Sequence, residues 1–183
     1  LAIEAALLAT DKTPGMFRMN YGFMHIIGYD EQVFFEERRK LKEKAKKEID
    51  FRIVATDHSE DAIDISIKNA KTAGVDHLID FSVCDFADTE VPESAGVVIF
   101  NPEYGERLGV HTKLEATYKR IGDFMKQKCK GYRGYIFTGN PDLAKKIGLR
   151  ASRRIEFYNG KLDCRLLEYE LYEGSKREPK PEA

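Results

Sequence analysis

The chain of 183 residues predicts an α/β fold, a mostly parallel sheet with helical crossovers and a reversed, antiparallel edge. Three observations carry that prediction. Short apolar runs such as RIVAT, VVIF and YIFT each stop at a polar or turn-forming residue. Charged or amphipathic stretches of helical period lie between several of them. Near the C-terminus, Asn159-Gly160 joins two strand-like runs, and Asn-Gly is the strongest short hairpin signal.

Composition narrows the class. Apolar residues make up 42% and aromatic residues 11%, ordinary for a globular domain with a real core. Charged residues reach 33%, yet the formal net charge is only −1, so any nucleic-acid surface has to be local. Cys84, Cys129 and Cys164 are odd in number and widely spaced, which fits neither a disulfide framework nor a metal-binding motif. No apolar run reaches membrane-spanning length, and LAIEAALLA lacks the basic flank of a signal peptide. A soluble, cytoplasmic protein is the expectation.

The elements follow in order. Leu1 to Ala9 is rich in helix formers, but a helix starting at residue 1 leaves its first donors uncapped, so its natural lead-in is expected upstream. Pro14-Gly15 closes a turn, and residues 16–30 are expected to form an aromatic loop with a short helical piece. Glu31 to Ile49 is a charged amphipathic helix. Its RRKLKEKAKKEI run reads as a solvated helix face with opposite charges at helical spacing, in preference to an RNA-binding surface.

Phe51 to Thr56 is the next strand, ending at Asp57. Ser59 is placed to cap the following helix, with Glu60 and Asp61 in its first turn, and Gly74 stops it. Leu78 to Val83 is a strand ending at Cys84-Asp85-Phe86, and Val97 to Phe100 is another. A helix over Leu114 to Cys129 follows, then a strand over Tyr132 to Thr138. Asp142 to Ile147 is a short helix, and Ala151–Tyr158 with Lys161–Tyr172 makes the hairpin. One domain over residues 1–173 is expected, with a polar tail at 174–183 expected to be disordered.

The strand ends carry the chemistry. Buried parallel strands deliver their C-terminal ends to the crevice where open α/β sheets bind ligands. Asp57 can accept from ribose hydroxyls there; Asp85 can accept from an adenine amino group while Phe86 packs on the ring. Asp is also a common cap and turn residue, and the order of acid, acid and Asn-Pro-x-Tyr on successive strands is what favours a site. In Asn101-Pro102-Glu103-Tyr104, an amide side chain and a backbone carbonyl can accept from an exocyclic amine and aim its lone pair. Pro102 fixes the backbone and Tyr104 offers a flat face to an unstacked base. A plain strand-ending turn is the alternative, and the position after a buried strand favours the functional one.

These residues resemble the methyltransferase domain of the bacterial ribosomal RNA guanine-N2 methyltransferases, whose full-length members carry an RNA-binding THUMP domain. The resemblance rests on LAIEAALLAT, ATDHSEDAIDISIKNAKTAGV, VCDFAD, FNPEYGERLG and GLRASRRIEFYNGKLDCRLLEYELY. It implies a Rossmann-like class I sheet and S-adenosylmethionine as methyl donor, with no metal. It implies Asp57 with His58 at the ribose, Asp85 and Phe86 at the adenine, and Asn101 at donor and target amine alike. Pro102 would help to position that guanine amine, and Tyr104 would stack on the base. Glu103 stands where related motifs often carry a second Pro; its carboxylate would accept from guanine's ring and amino hydrogens, unless it is a tolerated variant of a rigid turn. Arg107, Arg150, Arg153 and Arg154 either neutralise RNA phosphates or pair with Glu106 or Glu156. An RNA-presenting domain is expected upstream. Two other readings stay open: a non-catalytic fragment or RNA-binding partner that keeps the fold, and an amino methyltransferase acting on DNA adenine or a protein amide.

The family's first strand and its Gly-x-Gly-Thr loop fall immediately before Leu1 and are absent from the chain. Residues 1–183 alone are therefore expected to bind S-adenosylmethionine weakly or not at all. Titration calorimetry checks this, and tight binding would contradict it.

Overall fold

The caps and strand ends visible in the sequence are in place in a computed structural model, which describes residues 1–104 and 111–172. Arg107 and the 174–183 tail lie outside the described residues. The chain divides into two units, Leu1–Thr89 and Glu90–Ala183. Among the described residues no helix is long and apolar enough to cross a membrane.

The first unit contains α1 (Ala2–Ala9), α2 (Glu31–Lys44), β1 (Ile53–Asp57), α3 (Glu60–Ala73) and β2 (Ile79–Val83). β1 and β2 are parallel, in register from Ile53 opposite Ile79 to Asp57 opposite Val83, with α3 as the crossover. The Ser59 side chain accepts from the Ala62 N–H, and Gly74 ends α3 at φ 66°, the left-handed cap that glycine adopts without strain. Ala6, Leu7, Ala70, Val75 and Ile79 form the buried core. Ala6 and Ala70 are both fully buried, and methyl side chains let α1 approach α3 closely.

Several boundaries differ from the sequence expectation by a few residues, and the larger differences have a visible reason. α2 stops at Lys44, not Ile49, because Ala45 is extended, the Lys46 N–H donates to Thr10 O (2.8 Å) and Lys46 Nζ pairs with Asp11 (3.3 Å). β2 begins at Ile79 because Asp76–Leu78 forms a 3-10 turn. Residues 14–30 contain two 3-10 turns, Pro14–Phe17 and Gly22–His25, rather than one helical piece. On α2, Lys40–Glu37 (2.6 Å) and Arg39–Glu43 (3.9 Å) are the pairs expected of a solvated face.

The second unit contains β3 (Val97–Phe100), α4 (His111–Lys128), β4 (Arg133–Thr138), α5 (Pro141–Lys146), β5 (Arg153–Asn159) and β6 (Leu162–Glu170). The strand order is β3-β4-β6-β5, with β3 parallel to β4 and both other pairings antiparallel. The parallel β3–β4 pair and the antiparallel hairpin are as expected, with the reversed strand β6 inside the sheet, between β4 and β5, and not at its edge. The hairpin turn departs by one residue. Asn159 pairs with Leu162, so the tip is Gly160-Lys161, with Gly160 at φ 62°. A Gly-first tip with one positive φ matches a II′ turn, whereas Asn-Gly at the tip would need two. The register shift leaves Asn159 in the strand.

α4 presents Leu114, Tyr118, Ile121 and Met125 as one buried stripe. Gly122 lies on the same helix, and a Cβ there would sit 1.9 Å from Ile147 O, immediately after α5. The close approach of α4 and α5 therefore depends on a hydrogen at this position.

Gly122→Ala is expected to destabilise the fold by on the order of 3 kcal/mol. Gly22→Ala, with open space around it, should stay within about 0.5 kcal/mol. Chemical unfolding of both variants checks the contrast. Burial also pushes the Cys129 thiol up to about 11 and the Tyr169 hydroxyl up to about 12. Both groups are held neutral when folded, so their contribution is whole below the unfolded pKa values and is lost as pH rises through about 9 to 12. Alkaline unfolding should steepen in that window, and Tyr169→Phe should flatten its upper part.

Candidate functional site

In the first unit the two acids stand at the same end of the two-stranded sheet. The ladder runs to Asp57 opposite Val83, and the Cys84 N–H donates to Asp57 O (3.0 Å). Asp85 is thus one residue beyond the last strand contact, beside the end of β1. Asp57 Oδ1 accepts from the Ser59 N–H (2.9 Å), which holds the carboxylate at the strand end. Its side chain remains 45% exposed. His58 is 89% exposed, with Nδ1 3.4 Å from Asp57 Oδ1.

Asp85 Oδ1 accepts from the Ala87 N–H (2.9 Å) and so caps the 3-10 turn Phe86–Asp88. Thr89 Oγ1 lies 2.8 Å from Thr56 Oγ1, tying the end of that turn back to β1. The loop that presents Asp85 and half-buried Phe86 is therefore folded onto the strand that presents Asp57. Both carboxylates act as turn formers, and the exposed Asp57 side chain keeps acceptor capacity for a diol. An acceptor beside a diol and a half-buried ring beside a base is the donor set a nucleoside needs, so these residues fit an adenosine-containing group.

In the second unit, β3 ends with Phe100 opposite Ile136. Asn101 and Glu103 are exposed, while Pro102 and Tyr104 are half-buried. The Tyr104 ring meets Phe137 edge-on at 6.3 Å between centroids, and Phe137 meets Phe157 likewise at 5.9 Å. Asn159 Nδ2 donates to the Tyr104 hydroxyl (3.4 Å). A Cβ on Gly139 would come within 3.1 Å of Tyr104 Cδ2 and Cε2. The tyrosine is thus set against β4, the turn after β4 and the hairpin tip.

Sequence reading singled out Tyr104 but not Phe137, Gly139 or Asn159. Asn159 was visible only as a turn residue, and the one-residue shift in the hairpin gives it its contact. Arg150, Arg153 and Arg154 are exposed, and among the described residues none of them is in an ion pair. Glu156 pairs with Arg165 (3.5 Å), and Glu168, opposite Arg153, with Arg133 (3.7 Å).

The family model described as UPF0020, an RMKL-like methyltransferase domain, matches residues 1–168. A ribosomal RNA large subunit methyltransferase K/L of Syntrophotalea carbinolica is 37% identical over 180 residues, 94% of this chain and 25% of that protein. A putative RNA methyltransferase of Synechocystis, slr0064, is 34% identical over 93% of this chain and 44% of that protein. The chain thus spans about a quarter of the length of the K/L relatives it matches. The crystal structure of SMU.472, described as a putative methyltransferase complexed with SAH, matches with a TM-score of 0.86 at 26% identity, over 95% of this chain and 46% of that one. A possible methylase from Clostridium difficile 630 matches with a TM-score of 0.85 at 30% identity, over 96% and 46%.

Proposed function

Because the chain belongs to the UPF0020 family of RMKL-like methyltransferase domains, we propose that it methylates the exocyclic N2 amine of a guanine in ribosomal RNA. S-adenosylmethionine is the donor in this reading, and when bound it supplies an electrophilic methyl on a sulfonium centre. What supports it most is the end of β3, where an exposed amide and a proline are followed by a tyrosine fixed from several sides.

Asn101 and Pro102 accept from the guanine amine through the side-chain amide oxygen and a backbone carbonyl, which orients the nitrogen lone pair. Tyr104 supports the flipped base, and Glu103 accepts from guanine's ring and amino hydrogens. Displacement at a methyl group needs alignment more than a strong base. Asp57, with His58 beside it, holds the donor's ribose, and Asp85 and Phe86 hold its adenine. The exposed Arg150, Arg153 and Arg154, together with Arg107, neutralise RNA phosphates. A further domain of a longer protein presents the RNA, and the activity belongs to the cytoplasm.

One solved structure, at 27% identity, is described as a predicted N6-adenine-specific DNA methylase of Listeria monocytogenes, so the base is open to test. Methyl transfer by the upstream-extended protein from labelled S-adenosylmethionine to an unmodified large-subunit ribosomal RNA transcript should yield N2-methylguanosine on nucleoside analysis. Asn101→Ala should lower kcat/KM on the order of a hundredfold. Label appearing in N6-methyladenine of a DNA substrate instead would replace guanine with adenine.

A further inference from the structure

We infer that Gly139 is a positioning residue for Tyr104: the hydrogen in place of a side chain sets where the tyrosine ring stands. This rests on the reading that Tyr104 supports the target base.

Glycine is not required at 139 for a left-handed backbone, since Gly139 is absent from the positive-φ residues. Space is the reason. A Cβ there would lie 3.1 Å from two Tyr104 ring atoms and 3.3 Å from Cys164 Sγ, all tighter than ordinary van der Waals contact. Cys164 is fully buried in β6, on a strand paired on both sides. Tyr104 is half-buried in a loop, so the ring is the neighbour that would yield.

The glycine itself is anchored on both sides. Thr138 is 2% exposed, and its Oγ1 lies 2.9 Å from the hydroxyl of fully buried Tyr118. The same Oγ1 accepts from the Asn140 N–H (3.1 Å). The Asn140 side chain in turn accepts from the Asp142 and Leu143 N–H groups and caps α5. A hydroxyl pair inside the unit thereby fixes the peptide against which the Tyr104 ring rests. Asn159 holds the hydroxyl end of the same side chain.

The experiment is a steady-state methyl-transfer cycle on the upstream-extended protein, with an unmodified large-subunit ribosomal RNA transcript as acceptor. It compares Tyr104→Ala, Gly139→Ala and the double variant, with thermal unfolding recorded for each. Gly139→Ala is expected to raise the KM for RNA and lower kcat/KM by on the order of tenfold or more, with the KM for S-adenosylmethionine unchanged. In the Tyr104→Ala background, Gly139→Ala should have no further effect. Should Gly139→Ala unfold, Tyr118→Phe, which removes only the hydroxyl, should reproduce the RNA-specific loss and be silent in the same background. Additive losses, or an equal rise in both KM values, would overturn the inference while leaving the proposed activity intact. An unchanged Tyr104→Ala enzyme would overturn both the base-supporting role and the inference built on it.

Discussion

The second unit is registered on β4. β3 runs parallel along one edge and β6 antiparallel along the other, so β4 sets the level at which the ends of both neighbours stop. The pairing of Phe100 with Ile136 fixes where Asn101 leaves the sheet. The pairing of Thr138 with Arg165 fixes β6, and through β6 the hairpin that returns Asn159 to the Tyr104 hydroxyl. β4 is held in its own place by packing: a Cβ on Gly134 would meet Met125 Sδ at 2.8 Å, so the strand lies close under α4. A residue shift in β4 would move the amide, the ring and the hairpin contact relative to one another, and would turn buried Ile136 outward.

Capping and the proposed ligand binding, which look like rival explanations of an aspartate in a sequence, are compatible in the first unit. Asp57 and Asp85 each spend one oxygen on a backbone N–H two residues ahead. That bond costs little in accessibility and gains orientation, because a carboxylate tied to its own turn cannot swing away from the strand end. The loop after β2 is then closed by the Thr56–Thr89 contact. Turn chemistry is therefore the means by which the acids are aimed.

Local signals were legible, and non-local ones were not. Ser59 and Gly74 act on residues within a few positions, so their capping roles follow from residue type and spacing. The acids and Asn-Pro-x-Tyr stood out because each follows an apolar run. The end of α2 was missed because Lys46 is drawn to Thr10 and Asp11, residues far upstream whose proximity no helical periodicity encodes. The hairpin tip was misplaced by one residue because Asn-Gly is a strong local preference that pairing against β6 overrides. Gly139 was invisible for a related reason. Beside Asn140-Pro141 it reads as a turn residue, and only the Tyr104 ring, 35 positions earlier in the chain, shows that the glycine is there for space.

The buried tyrosine hydroxyls of the second unit are scaffolding that stays neutral. Burial raises the pKa of the Tyr118 hydroxyl and that of Tyr169, so both are neutral hydroxyls throughout the range in which enzymes work. Tyr118 uses its hydroxyl on Thr138, and Thr138 uses the same oxygen to hold the Asn140 N–H. Asn101, the group at the strand end, is an amide and has no proton to lose at all. A reaction that depends on where a lone pair points gains more from such fixed dipoles than from titrating side chains, because a dipole held by the fold needs no reorganisation when the substrate arrives. In the proposed reading, the buried hydroxyls behind β4 and the exposed amide at the end of β3 serve the same requirement.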